Sequence, residues 1–155
     1  MKKVFSLILV LAMFAALSVN VFAADSQDIT VSYTAAETYT VTIPSSQTFA
    51  ADSLTSTGTV SAKVLLEAGK VLNVLMNSAN GFALKCGASS IAYTISKGNT
   101  TLGNNACVLS VAAGNTSGSS ALTFTTTEEA IAAATIAGEH TDIVTFTCSL
   151  EGPAN

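Results

Sequence analysis

The stretch DIVTFTCSL, residues 142–150, alternates between apolar and polar side chains from Val144 onward. Successive side chains of an extended chain point to opposite faces, so Val144, Phe146, Cys148 and Leu150 share one face. The residues between them are two threonines and a serine. This pattern predicts a half-buried β-strand, with Val144, Phe146 and Leu150 forming the core face of the last strand.

Further segments alternate in the same way and are separated by turns rich in glycine, asparagine, proline and serine. They cover 29–33, 39–43, 60–66, 71–76, 82–86, 91–96, 107–113 and 121–127. Short strands at this spacing predict an all-β, antiparallel sandwich of about eight to nine strands. One short helix is expected over 127–134. In a capping box, Thr126 would be its N-cap and the Glu129 side chain would accept a hydrogen bond from the backbone N–H of Thr126.

The N-terminal residues match an export signal. Met1-Lys2-Lys3 is positively charged, an apolar run of about 15 residues follows, and Val21-Phe22-Ala23 places small side chains where a signal peptidase cleaves. A membrane-spanning helix needs about 20 apolar residues. We therefore expect residues 1–23 to be a signal peptide, residues 24–155 to be a single domain, and the product to be secreted or associated with the cell surface, with no integral membrane segment after cleavage.

The charge balance excludes some partners. The chain has six lysines, no arginine and ten acidic residues, and cleavage after Ala23 would remove two of the lysines. An acidic chain without arginine is poorly suited to neutralising phosphates, so neither nucleic acid nor an anionic membrane surface is expected as a partner.

Glu139, His140 and Asp142 form the one cluster that suggests chemistry. A hydrolase of the triad type would have to use His140, the only histidine, yet no G-x-S-x-G motif supplies a nucleophile. No C-x-x-C or H-x-x-x-H motif accompanies the cluster to bind zinc. We expect a polar corner before the last strand, with no catalytic residue, no metal and no cofactor.

The three cysteines, Cys86, Cys107 and Cys148, are in phase with apolar neighbours in their predicted strands. This places all three on core-facing positions, as small buried hydrophobic side chains. Export would also permit a disulfide, for which three pairings are possible. Buried thiols and one internal disulfide both remain open.

The order TYTVTIPSS, an AGK turn before VLNVLM, IAYTISKG, and finally AG-x-x-TD-x-VTFT resembles small immunoglobulin-like surface modules of Gram-positive bacteria. The layout is similar to that of WxL domains, which attach non-covalently to the cell wall. The Trp-x-Leu motif is missing, since the chain has no tryptophan and reads Phe146-Thr147-Cys148 at the matching end. The resemblance implies an immunoglobulin-like sandwich displayed outside the cell.

These observations predict a non-enzymatic module for adhesion or structural assembly, recognising other surface proteins through its loops or a free sheet edge. The alternative is a module that binds carbohydrate or peptidoglycan of the cell wall. The sequence leaves the oligomeric state open.

Overall fold

The computed structural model describes residues 30–50 and 52–152, which contain nine β-strands and one short helix. The predicted signal peptide lies outside the described residues. The strands and the helix have the following bounds: β1 Thr38–Thr42, β2 Thr55–Leu65, β3 Val71–Ser78, β4 Ala83–Cys86, β5 Ser89–Lys97, β6 Thr100–Thr101, β7 Ala106–Ala112, β8 Ser117–Thr126, α1 Glu128–Ala132 and β9 Val144–Glu151.

The strands form two antiparallel sheets. The larger sheet has the order β1-β2-β8-β5-β4, and β6 pairs with the end of β5. The smaller sheet has the order β7-β3-β9. The predicted all-β sandwich is therefore confirmed, and all of its strands lie in the compact unit that begins at Ala35.

The core lies between the two sheets and follows from the alternation in the sequence. In β3 every second residue is buried, while the intervening residues are only partly covered. The side chains with no exposed surface come from both sheets: Val60, Leu72, Val74, Met76, Ile95, Val108 and Leu122. Removing such apolar surface from water is the main favourable contribution to folding.

The connection between β1 and β2 packs against the inner face of β2. A Cβ atom on Gly58 would lie 2.5 Å from the Cβ of Pro44. The Ser56 hydroxyl donates a hydrogen bond to the side-chain oxygen of Gln47. Only glycine at position 58 permits this close approach, which holds residues 43–49 as one wall of a cleft described below.

Two expectations about local structure are wrong. Residues 30–33 of the predicted strand 29–33 have no regular secondary structure. The helix is capped by Thr127, whose hydroxyl accepts a hydrogen bond from the backbone N–H of Ala130. Thr126 is buried instead and donates to the carbonyl of Ala92, because the inward alternation of β8 continues through this residue.

The core face of the last strand needs one correction as well. Val144, Phe146 and Cys148 pack against the buried core and are themselves half-buried. Leu150 is 38% exposed, near the C-terminal end of β9. Within the described part of the chain, no helix is long and apolar enough to span a bilayer.

Candidate functional site

Asp142 is the centre of a hydrogen-bonded corner at the start of β9. Its Oδ2 accepts from the Ser78 hydroxyl at 2.6 Å and from the Tyr93 hydroxyl at 2.7 Å. Its Oδ1 accepts from the backbone N–H of Asn80 at 3.0 Å and from that of Ile143 at 2.8 Å. The carboxylate thereby joins the end of β3, the middle of β5 and the beginning of β9.

The acceptor capacity of Asp142 is used up by these four bonds. An ionised carboxylate offers about four lone-pair sites, and each oxygen of Asp142 already accepts two hydrogens. Burial raises the pKa of Tyr93 well above its ordinary value, and the hydrogen bond to the carboxylate raises it further. Tyr93 therefore stays a donor at neutral pH, and the corner is suited to holding strands together rather than to binding a ligand.

The same corner stabilises an unfavourable backbone conformation. Phe82 has φ 64°, a region that bulky residues rarely adopt. Its N–H donates to the Ser78 hydroxyl at 2.6 Å, and its carbonyl accepts from the N–H of Tyr93 at 3.0 Å. The rings of Phe82 and Tyr93 meet edge to face, with centroids 6.0 Å apart. These contacts offset the strain and fix the turn between β3 and β4.

His140 bridges two backbone segments through its ring. Its Nδ1 lies 3.0 Å from the carbonyl oxygen of Gly138, which can only accept, so this nitrogen carries a hydrogen. Its Nε2 lies 2.9 Å from the Ser89 hydroxyl, which itself accepts from the N–H of Thr135 at 3.0 Å. The bridge ties the segment between α1 and β9 to the start of β5.

The Ser89–His140 pair is poorly placed for nucleophilic catalysis. Ser89 is 1% exposed, so a substrate carbonyl cannot reach its hydroxyl in this conformation. The group that orients the imidazole is the Gly138 carbonyl, whereas hydrolase triads use a carboxylate or amide side chain. The hydrogen bonds of Ser89 and His140 therefore hold backbone segments together, as structural hydrogen-bond chains do.

The Glu139 side chain takes part in neither hydrogen-bond network among the described residues. It is exposed and lines two neighbouring cavities, of which the first is also lined by Asp142 and the second by His140. The three residues that are close in sequence are therefore not brought together as one site. Among the residues that the structure describes, no group of three or more acidic, histidine or cysteine side chains is arranged to hold a metal ion.

A cleft of about 410 Å³ opens beside the corner. Its floor is formed by Leu84, Tyr93 and Phe124 of the larger sheet. One wall is β9, through Val144 and Phe146, and the opposite wall is the β1–β2 connection, through residues 43–49. The cleft therefore separates the exposed edge of the smaller sheet from an irregular segment of the same layer.

Among the described strands β9 pairs only with β3, so the wall that it forms is a free strand edge. Ala79 N–H donates to the Ile143 carbonyl at 2.9 Å, one step beyond the pair Ser78↔Val144. Hydrogen-bonded and non-hydrogen-bonded pairs alternate in antiparallel strands, so Thr145 and every second residue after it bond to β3. The backbone N–H and C=O groups that point away from β3, toward the free edge, belong to Val144, Phe146, Cys148 and Leu150.

The prediction that all three cysteines face the core is wrong for Cys107. The register of β3 against β7 shifts between Val74 and Leu75, so that Val108 and Leu109 are both buried. This bulge turns Cys107 to the exposed face of the sheet. Cys148 stays on the inner face, opposite Val74.

All three cysteines are free thiols in the structure, and Cys86 is half-buried like Cys148. Cys107 and Cys148 are separated by β3, a spacing of about two strand widths or roughly 9.5 Å, and lie on opposite faces. A disulfide needs a Cα separation below about 7 Å, so these two residues cannot pair without rearrangement.

The long-range partners of Asp142 and His140 were missed at the sequence level, because they lie 49 to 64 residues away along the chain. The Asn80 turn was recognisable from Ala79-Asn80-Gly81, but nothing in that tripeptide indicates a carboxylate partner. The open edge of β9 depends on strand order, which alternation does not encode.

In comparisons with known proteins, no family model matches this chain and no curated protein is significantly similar to it.

Proposed function

We propose that this protein is an exported, non-enzymatic module of a Gram-positive cell surface or its surrounding medium, acting in adhesion or structural assembly. One contrast carries the proposal. The polar side chains that could perform chemistry, Asp142 and His140, are engaged in holding the sandwich together. The open cleft and the free edge of β9 are the parts of this region with unused contact surface. Such a surface suits recognition of another protein.

The signal-like residues 1–23 and the acidic, arginine-free composition support this proposal. An exported domain meets other surface proteins or cell-wall polymers rather than nucleic acid. Partners would bind by contact with the cleft and edge, and no cofactor is needed for that.

The test is retention of the exported protein on intact cells of its source, measured with the wild type and two variants. Val144→Glu places a charge in the cleft, whereas Thr145→Glu places the same charge on the exposed opposite face of β9. We expect retention to fall about tenfold or more for the first variant and to stay unchanged for the second. Denaturant melts identify any loss that is due to unfolding.

Two results would contradict the proposal. One is a cytoplasmic protein that retains Met1. The other is robust hydrolytic activity that disappears in His140→Ala while the melting behaviour of the sandwich is kept.

A second candidate is binding of carbohydrate or peptidoglycan, and the composition of the cleft favours it. Hydroxyl, amide and carboxylate side chains from Ser45, Gln47 and Glu139 line the cleft next to the rings of Phe49 and Phe146. Polar groups beside aromatic faces are typical of sugar-binding sites. A pull-down on purified walls separates the candidates, because retention that muramidase digestion abolishes indicates glycan binding.

A further inference from the structure

We propose that the cleft and the free edge of β9 receive the N-terminal segment (residues 30–34) of a second copy of this chain. Copies would then join head to tail through an added β-strand. This inference rests on the proposed function in structural assembly and names the partner for that surface.

The N-terminal segment has the pattern of a strand but is not one. It reads Thr-Val-Ser-Tyr-Thr, and Val31 and Tyr33 would share one face of an extended chain. In the structure these residues have no regular secondary structure, and Val31 and Tyr33 are 93% and 92% exposed. Two large apolar side chains at strand spacing, fully open to water, indicate a surface that is buried in another assembly state.

The edge of β9 carries the unpaired backbone N–H and C=O groups that an added strand would bind. β9 is eight residues long, pairs only with β3 among the described strands, and carries no charged residue before Glu151. Exposed sheet edges are usually protected by lysine, proline, bulges or short length, because unpaired N–H and C=O groups attract another strand. β9 has none of these protections.

The other edges are blocked or shorter. On β7, the Lys97 ammonium donates to the carbonyl of Val108 at 3.0 Å, next to the bulge. On β4, Lys85 and Thr141 exchange two backbone hydrogen bonds of 2.8 and 3.0 Å. β1 offers five residues, against eight in β9. The longest unprotected edge is therefore also the one beside the cleft.

The cleft fits a strand whose apolar side chains alternate along the chain. Val144 and Phe146 are two residues apart and both line the cleft. A strand added beside β9 would therefore project its side chains i and i+2 into the same cleft. Val31 and Tyr33 have this spacing, and the floor they would meet is formed by Leu84, Tyr93 and Phe124. The segment carries no charge that would have to be desolvated.

The experiment uses the exported protein with its own N-terminus and two double variants with the same charge change. Val31→Lys with Tyr33→Lys alters the face that would enter the cleft. Thr30→Lys with Ser32→Lys alters the opposite face of the same segment. Sedimentation velocity over a range of concentrations measures assembly, and none of the four positions lies in the sandwich.

We expect the wild type and the Thr30/Ser32 variant to form a concentration-dependent series of dimers and longer chains. The Val31/Tyr33 variant should assemble at least about tenfold more weakly. If all three proteins assemble alike, another surface joins the copies, which overturns this inference but leaves the proposed function in assembly standing. If the wild type stays monomeric at all concentrations, a second copy is not the occupant of the cleft, and the inference is overturned. A segment that folds onto its own chain would give this same result.

Discussion

The Asp142 corner and the free edge of β9, which begins two residues later at Val144, have opposite character. At the corner, four donors converge on one carboxylate, and the strained turn at Phe82 is held by the same network. Along the edge, the outward backbone groups of β9 lack a strand partner in the described residues, and half-buried Val144 and Phe146 face an open cleft. The polar groups of the corner find their hydrogen-bond partners within the chain, whereas the outward backbone groups of the edge have no strand partner among the described residues.

This difference separates structural polar groups from recognition surfaces. A buried polar network is stabilising only when its members are all paired, and a paired network has little capacity left for a ligand. An unpaired edge becomes more stable only when another strand supplies the missing hydrogen bonds. Variants of the corner should therefore change the free energy of unfolding, whereas variants of the added strand should change assembly.

The largest effect is expected for Asp142→Ala. It leaves the Ser78 and Tyr93 hydroxyls and two backbone N–H groups without their acceptor, which should lower the free energy of unfolding by about 3 to 5 kcal/mol. Glu139→Ala, an exposed acid three residues earlier, should change it by about 0.5 kcal/mol or less. Urea melts of both variants measure the contrast, and equal losses would remove the structural role assigned to the corner.

Phe146→Ala should have the next largest effect. A fully buried phenylalanine costs about 3 to 5 kcal/mol when truncated, but Phe146 is half-buried and borders the cleft, so we expect about 2 to 3 kcal/mol. Thr147→Ala, on the exposed face of the same strand, is the control. If the two melts shift equally, Phe146 does not contribute to the core.

Tyr93→Phe should remove part of the pH dependence of stability. The folded-state pKa of Tyr93 is raised above its ordinary 10.0, so its contribution is complete below about pH 10 and is lost as the pH rises toward the folded-state pKa. The variant should lose about 1 to 2 kcal/mol at neutral pH and show a shallower decline in alkaline solution. Urea melts between about pH 8 and pH 11 measure both. Identical alkaline slopes for the two proteins would contradict the buried hydrogen bond.

His140→Gln should have the smallest effect. The histidine contributes two hydrogen bonds at a half-exposed position, so the free energy of unfolding should fall by less than about 1.5 kcal/mol. Retention on cells and assembly should be unchanged. Loss of function in this variant without loss of stability would instead identify the imidazole as a reactive group.

The alternation in the sequence predicted most strands, because a half-buried antiparallel strand needs one apolar face. It failed at Cys107, where a bulge shifts the phase by one residue, and at residues 30–33, which have the pattern of a strand but no regular secondary structure. The corner was predicted as polar, but Tyr93 and Ser78 could not be assigned to it. Long-range pairing depends on strand order, and local alternation carries no information about order.

Hydrogen exchange along β9 tests the contrast between corner and edge most directly. In the Val31/Tyr33 double-lysine variant, the amides of Val144, Phe146 and Cys148 should exchange fast, while those of Thr145 and Thr147, bonded to β3, should exchange slowly. In the wild type at assembling concentrations, the first group should become slow as well. Edge amides that are already protected in the monomeric variant, or that stay fast in the assembled wild type, would contradict the open edge and its occupation by a second copy.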